Sequence, residues 1–258
     1  MEQRFAGQTV IVTGASGNIG EGITRRFAAE GANVVLTGRN KDKLEALAGT
    51  LNPDRTAVVP ADVTREADVQ ALADEAAARF GGIDVLVSNA GVGYLSPFED
   101  LAIEDWRRVI DTNLTSCFLG AQACLPHLKR AKGSIIQIAS ASGVGVGGDV
   151  GMSAYNASKG AVVNLTRGLA FDLGPCGIRV NAVTPSITYP EGISHPRLTD
   201  TDFLNRFQDR RALQGHATPD DIAGAVAFLA SADARFITGV ILPVDGGITA
   251  GSGQPRFR

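Results

Sequence analysis

Tyr155 and Lys159 stand four residues apart in SAYNASKGAVVNLTRGLAFDLG, a stretch of helical period, so both side chains fall on one helix face. A free phenol titrates at about 10, and an ammonium beside it favours the phenolate. Such a pair can give a proton to, or take one from, an oxygen whose charge changes during a reaction. A carbonyl that becomes an alkoxide when hydride reaches its carbon is an oxygen of that kind. In isolation the pair would be a solvated helix surface, so its meaning depends on its company.

A second set of residues has anion-binding chemistry. The run Thr9 to Thr13 leads into Gly14-Ala15-Ser16-Gly17-Asn18-Ile19-Gly20 and then the amphipathic EGITRRFAAEG. Glycines at a strand-to-helix turn permit the tight turn (Gly14), let backbone N–H groups approach a pyrophosphate (Gly17) and let the helix pack close to the strand (Gly20). A dinucleotide is the predicted ligand. After the second strand, Thr37-Gly38-Arg39-Asn40 carries no carboxylate to meet a ribose 2′-hydroxyl. Arg39 instead offers a planar fork of donors to a 2′-phosphate, with Lys43 one helical turn beyond. The expected cofactor is therefore NADP(H), with NAD(H) as the alternative. With no phosphate to bind, Arg39 would be a solvated residue beside an Asn40 helix cap.

The elements that must position these groups follow from hydropathy. Short β-branched runs at Thr9 to Thr13, Asn33 to Thr37, Thr56 to Pro60, Asp84 to Ser88, Ser134 to Ala139, Ile178 to Val183 and Val240 to Pro243 alternate with helical stretches. Strands such as TVIVT are apolar on every residue, which requires helices on both faces of a parallel sheet. Thr218-Pro219-Asp220-Asp221 reads as a helix start, with a capping hydroxyl, a proline and a carboxylate in order. No linker, repeat or charge block interrupts the alternation. The expectation is an α/β fold, a single-domain, doubly wound, Rossmann-like parallel sheet over residues 1–258.

Composition narrows the partners. A net charge of −3 gives no basic field for a phosphate backbone, so nucleic acid is not expected and a small molecule is. The first residues lack a signal pattern and no apolar run is long enough to span a bilayer, so no membrane partner and a cytoplasmic location are expected. Cys117, Cys124 and Cys176 read as buried reduced thiols. His127, His195 and His216 have no ligand spacing, and no metal site is expected.

In order along the chain come T-G-A-S-G-N-I-G at 13–20, Asp62-Val63, Asn89-Ala90-Gly91, Asn113, the Ser140 region, Tyr155-Asn-Ala-Ser-Lys159 and Val244-Asp245-Gly246-Gly247. From Thr9 to Gly247 this series resembles the short-chain dehydrogenase/reductase family, and within it members similar to 3-oxoacyl-acyl carrier protein reductases. The resemblance implies a hydride transfer between the nicotinamide and a ketone or secondary alcohol carbon, with Tyr155 as general acid/base. It implies that Lys159 also holds the nicotinamide ribose and that Asn113 supports a proton-relay water near Lys159. Gly14, Ser16, Gly17, Asn18, Ile19 and Gly20 would meet the pyrophosphate, and Asp62 and Val63 would flank the adenine. Asn89, Ala90 and Gly91 would pass beneath the cofactor, and Pro185 and Thr188 would lie at its nicotinamide end.

The chain departs from the family pattern in three places. Asn18 stands where glycine is usual, and asparagine tolerates a left-handed backbone better than other side chains. Ser186 and Pro190 replace a glycine and a threonine after the sixth strand. The serine that would bond the reacting oxygen is Ser140 by strand-end position or Ser142 by distance from Tyr155; an insertion in the glycine-rich loop favours Ser140. Residues 191–215, with Phe203 and Phe207 four apart, read as a substrate-side lid helix. Tyr94, Leu95 and Tyr189 are candidate walls of an apolar pocket. Relatives of this kind form homotetramers or homodimers, which the apolar faces of the helices carrying Asn113 and Tyr155 would allow. Two other readings stay open: a catalytically silent dinucleotide sensor, and an NAD-dependent secondary-alcohol dehydrogenase.

Overall fold

The computed structural model describes residues 3–145, 151–189 and 210–251. Seven strands form one sheet: β1 (Thr9–Thr13), β2 (Asn33–Thr37), β3 (Thr56–Val58), β4 (Val85–Ser88), β5 (Ser134–Ile138), β6 (Arg179–Pro185) and β7 (Ile241–Val244). Every pairing is parallel, in the order β3-β2-β1-β4-β5-β6-β7. The chain winds outward from β1 to β3, then returns to lay β4 on the other side of β1. The strand order therefore reverses between β1 and β4, where a parallel sheet opens a crevice at its carboxyl edge.

Helices α1 (Asn18–Ala29), α2 (Lys41–Ala48), α3 (Glu66–Phe80), α4 (Ile103–Ile110), α5 (Ser116–Ala131), α6 (Ser153–Leu173) and α7 (Pro219–Ala230) flank the sheet. On one face Ile23, Phe27 and Val226 of α1 and α7 join Val10, Val12, Leu36 and Ile136. On the other, Leu72, Ala121 and Leu128 of α3 and α5 join Ile11, Leu86 and Ile135. Two cores explain why the centres of β1, β4 and β5 are apolar on both faces. The start of α7 is as read: Thr218 Oγ1 accepts from Asp221 N–H, and Asp221 Oδ2 accepts from Thr218 N–H at 2.8 Å. β3 is shorter than expected because it is an edge strand and Pro60 has no N–H to give. Pro243 sits in β7, the other edge, where a missing donor is tolerated. Among the described residues no helix is long and apolar enough to cross a membrane.

The amino-terminal segment fixes the far end of α1. Phe5 packs edge-on against Phe27, with ring centres 4.7 Å apart. Just past α1, buried Glu30 receives Arg4 in two hydrogen bonds, at 2.7 and 2.9 Å, and Arg26 in a third. Burial pushes the Glu30 carboxyl up, but the two guanidiniums outweigh it and hold it below the ordinary glutamate value. A depressed carboxyl contributes stability that is complete above the ordinary range and is lost as pH falls through the depressed value. Glu30→Ala, which leaves two guanidiniums facing each other, should lower unfolding stability at neutral pH by about 3 kcal/mol. In urea titrations the gap between wild type and variant should narrow as the pH drops below the carboxylate range.

Candidate active site

The turn after β1 is built for close backbone approach. Gly14 has φ +62°, in the left-handed region, and a Cβ on Gly20 would lie 2.2 Å from the Gly14 carbonyl oxygen. Gly17 is the N-cap of α1 and no side chain caps that end, so the first amides of the helix face outward together with exposed Asn18. Asn18 is the first helical residue and has no positive φ; Gly14 supplies the unusual backbone instead. The turn is tied to β4. Thr13 Oγ1 accepts from the N–H groups of Asn89 and Ala90, both at 2.9 Å. Asn89 Nδ2 donates to the carbonyls of Thr13 (2.8 Å) and Gly14 (3.1 Å). The Thr13 hydroxyl was passed over in the sequence because a threonine ending a strand has no distinctive spacing.

Beyond β2, Arg39 is exposed and Asn40 caps α2 by accepting from Lys43 N–H at 3.0 Å. A Cβ on Gly38 would meet nothing closer than 3.9 Å, so the approach to Arg39 is open. Asp62 accepts from the hydroxyl (2.7 Å) and the N–H (3.0 Å) of Thr64, and these bonds, helped by the charge of Arg39, hold its carboxyl below the ordinary value. Val63 beside it is buried.

Tyr155 and Lys159 lie on α6 as their spacing requires. Lys159 is buried, its Nζ donates to the Ile138 carbonyl at the end of β5 (2.8 Å), and it stands 5.9 Å from the Tyr155 ring centre. Ser140 follows two residues after Ile138, and its Oγ accepts from Ser142 N–H at 3.2 Å. Ser140 thus follows closely on the residue that anchors the lysine, and the Ser142 amide donates to it. Asn113 is not in a regular helix: it sits in a π turn, Asp111–Thr115, between α4 and α5. Its Oδ1 accepts from Val92 N–H (2.7 Å), and its Nδ2 donates to the Val92 carbonyl and to Ser158 Oγ, both at 3.0 Å. Ser158 donates in turn to the Tyr155 carbonyl at 2.7 Å. A Cβ on Gly91 would lie 3.3 Å from Asn113 Oδ1 and 3.4 Å from Lys159 Nζ, so the loop after β4 meets both groups. Ser158 gained no role from the sequence, although three residues from Tyr155 is a same-face helical spacing.

The substrate side is partly different from expectation. Tyr94 is no apolar wall: its hydroxyl donates to Asp105 at 2.6 Å and Arg108 stacks 5.2 Å from its ring centre. The bond to Asp105 pushes the Tyr94 phenol up and the Asp105 carboxyl down. Leu95 is exposed and borders Gly151, which accepts from Ser96 N–H at 2.9 Å. Pro185 ends β6 and is buried, and Thr188 donates to the Ser186 carbonyl at 3.0 Å. Tyr189 approaches His216 edge-on at 6.3 Å. Of the expected lid, residues 191–209 with Phe203 and Phe207, and likewise Pro190, lie outside the described residues. Burial pushes the Cys117 thiol up, against the pull of the Lys159 charge, and Cys124 up to about 12, which disfavours the thiolate at both.

Known proteins resemble the chain along nearly its whole length. A family model described as enoyl-(acyl carrier protein) reductase matches residues 14–249. The chain is 41% identical over 257 residues to meso-2,3-butanediol dehydrogenase of Serratia marcescens, covering 98% of this chain and 99% of the relative. Two solved structures superpose along the chain. One is a 3-ketoacyl-(acyl-carrier-protein) reductase from Brucella melitensis complexed with NADH, at TM-score 0.85 and 37% identity, covering 95% and 99% of the two chains. The other is a gluconate 5-dehydrogenase from Burkholderia cenocepacia in complex with NADP and tartrate, at TM-score 0.89 and 32% identity, covering 97% and 98%.

Replacing Asn113 with alanine removes both partners of Val92 and the donor to Ser158. The Asn113→Ala protein should lose about 1–3 kcal/mol of stability in denaturant titration. Hydrogen exchange at the Val92 amide should rise above that of the surrounding core.

Proposed function

The chain belongs to the short-chain dehydrogenase/reductase family, and from that membership we propose that it moves a hydride between NADP(H) and a ketone or secondary-alcohol carbon, with Tyr155 handling the proton. It is an oxidoreductase of alcohol and carbonyl groups, as its named relatives are. The observation that carries the finer reading is the Lys159 ammonium, sealed in the core, anchored on the Ile138 carbonyl and set beneath the Tyr155 ring.

The residues at the carboxyl edge fit a nicotinamide dinucleotide, which when bound supplies or accepts the hydride. The uncapped amides of α1, with Gly14, Ser16, Gly17, Asn18, Ile19 and Gly20, would hold the pyrophosphate. Arg39 and Lys43 would hold a 2′-phosphate, Asp62 and Val63 the adenine, and Asn89 to Gly91 would form the floor. Pro185 and Thr188 would meet the nicotinamide end. In reduction, Ser140 donates a hydrogen bond to the substrate oxygen and Tyr155 gives it a proton as charge develops; in oxidation Tyr155 takes that proton away. Lys159 stabilises the phenolate and binds the ribose hydroxyls. Asn113 braces the Val92 loop and the α6 backbone, and supports a relay water beside Lys159.

One observation favours NAD(H) as a second reading: Arg39 stands near enough for its charge to act on the Asp62 carboxylate, which would compete with a 2′-phosphate for it. The resemblance and the surface together support a homotetramer. Phe118 on α5 and Phe171 on α6, the latter 87% exposed, are aromatic groups that a partner subunit would cover. Residues 191–215 would close over the substrate as a lid within a single catalytic domain.

Tyr155→Phe should reduce turnover of a ketone panel at least about 100-fold, read from NADPH absorbance. An unchanged rate would remove Tyr155 from the chemistry, and tight NADPH binding with no turnover by wild type would favour the silent sensor. Arg39→Ala should raise KM for NADPH about tenfold, through loss of a charge-assisted contact, and leave KM for NADH unchanged. Equal effects on both cofactors would favour the NAD(H) reading.

A further inference from the structure

Thr37, Thr13, Ser88 and Gln137 form a polar row across β2, β1, β4 and β5, just below the carboxyl edge. Thr13 pairs in register with Thr37, and Ser88 with Gln137. Their strand neighbours Leu36, Val12, Val87, Ile136 and Ile138 all face the α1–α7 core, so the row faces α3, α5 and α6. The Thr13 hydroxyl is used by the loop after β4. Ser88 and Gln137 are different. Gln137 is 0% exposed and neither of its amide atoms has a hydrogen-bond partner; Ser88 is 4% exposed and its hydroxyl lies against the Cys117 thiol.

Leaving a buried donor or acceptor unanswered costs about 1–3 kcal/mol per group, and an enclosed water commonly answers such clusters. The side chains flanking the amide are small, because the residue paired with Gln137 across β6 is Ala182 and Ala139 follows on the same face. The place is adjacent to the lysine anchor. Gln137 precedes Ile138, whose carbonyl takes Lys159 Nζ. Cys117 on α5 lies beside Ser88 and within the field of Lys159, with its Sγ donating to the Asn113 carbonyl at 3.3 Å.

We propose that Ser88 and Gln137 enclose an ordered water between β4, β5 and α5, on the sheet side of Lys159, and that Gln137 is a positioning residue acting on the ammonium through it. The water donates to Gln137 Oε1 and accepts from Gln137 Nε2 or from Ser88. Its oriented dipole and the Ile138 carbonyl stabilise the charged lysine where bulk solvent cannot reach. The titratable groups facing Lys159 are Tyr155 on its own helix and Cys117 on α5. β4 and β5 present only neutral Ser88, Gln137 and the Ile138 carbonyl, and Asn113 and Gly91 are neutral as well. The inference rests on the Tyr155–Lys159 reading of the reaction.

The test combines crystallography of the cofactor-bound protein with pH profiles of alcohol oxidation. Wild type should show water density within hydrogen-bond reach of the Gln137 amide and Ser88 Oγ, and Gln137→Leu should exclude it. The midpoint of the rate rise with pH should move up by about half to one unit in Gln137→Leu, with KM for the cofactor unchanged. Gln137→Asn should return it part of the way. Ser88→Ala, a smaller change, should give a partial shift and replaces Gln137→Leu if that variant fails to fold. Dry density around a Gln137 amide paired to protein atoms, or an unmoved midpoint once the water is displaced, overturns the inference. If Tyr155→Phe is inactive while the water is missing, only this inference falls. A fully active Tyr155→Phe removes the tyrosine reading, and the electrostatic role of Gln137 falls with it.

Discussion

An ammonium taken out of water must be surrounded by oxygen, and the requirement is strict at Lys159 because its side chain enters the sheet rather than the solvent. The Ile138 carbonyl that receives it belongs to the last residue of β5, one beyond the final β4 pairing at Ser88 and Gln137. The cation is therefore placed by the length of a strand. Ser140 inherits its position from the same strand end, two residues on. α6 can bring Tyr155 to the same spot only if it leans across β5 and β6, which its apolar face of Val162, Val163 and Ala170 makes favourable.

Asn113 meets a different requirement. Its side chain must reach the Val92 backbone and Ser158 together, and a regular helix from Ile103 to Ala131 would turn it away from one of them. The π turn at Asp111–Thr115 adds the extra residue that re-aims the amide. The wide turn is a local cost accepted for a three-bond brace between the loop after β4 and the helix of Tyr155.

Local periodicity made the fold legible in the sequence. The strands were β-branched runs, the helix at Pro219 had a clear start signal, and the parallel arrangement followed from apolarity on both strand faces. The Tyr155–Lys159 pair was equally legible, because four residues on a helix is itself a geometry. What stayed hidden depends on partners far apart in the chain or on irregular backbone. The π turn needs no unusual residue, so nothing in DTNLT announces it. The Tyr94 hydroxyl finds Asp105 eleven positions away across a loop, and its polar capture cannot be read from a tyrosine in an apolar stretch. The left-handed backbone fell to Gly14 rather than Asn18 because the turn is completed before the helix begins.

The Thr13 hydroxyl, accepting two successive amides from Asn89 and Ala90 while Asn89 holds the Thr13 and Gly14 carbonyls, welds two loops that are far apart in sequence. The two sides of the crevice are thereby tied together before any ligand arrives. Such a cradle has little shape left to acquire, so the entropic toll of docking falls on the guest and on the few side chains at its rim. Capture between these two loops is accordingly closer to a key entering a cut lock, whatever closes over the substrate beyond them.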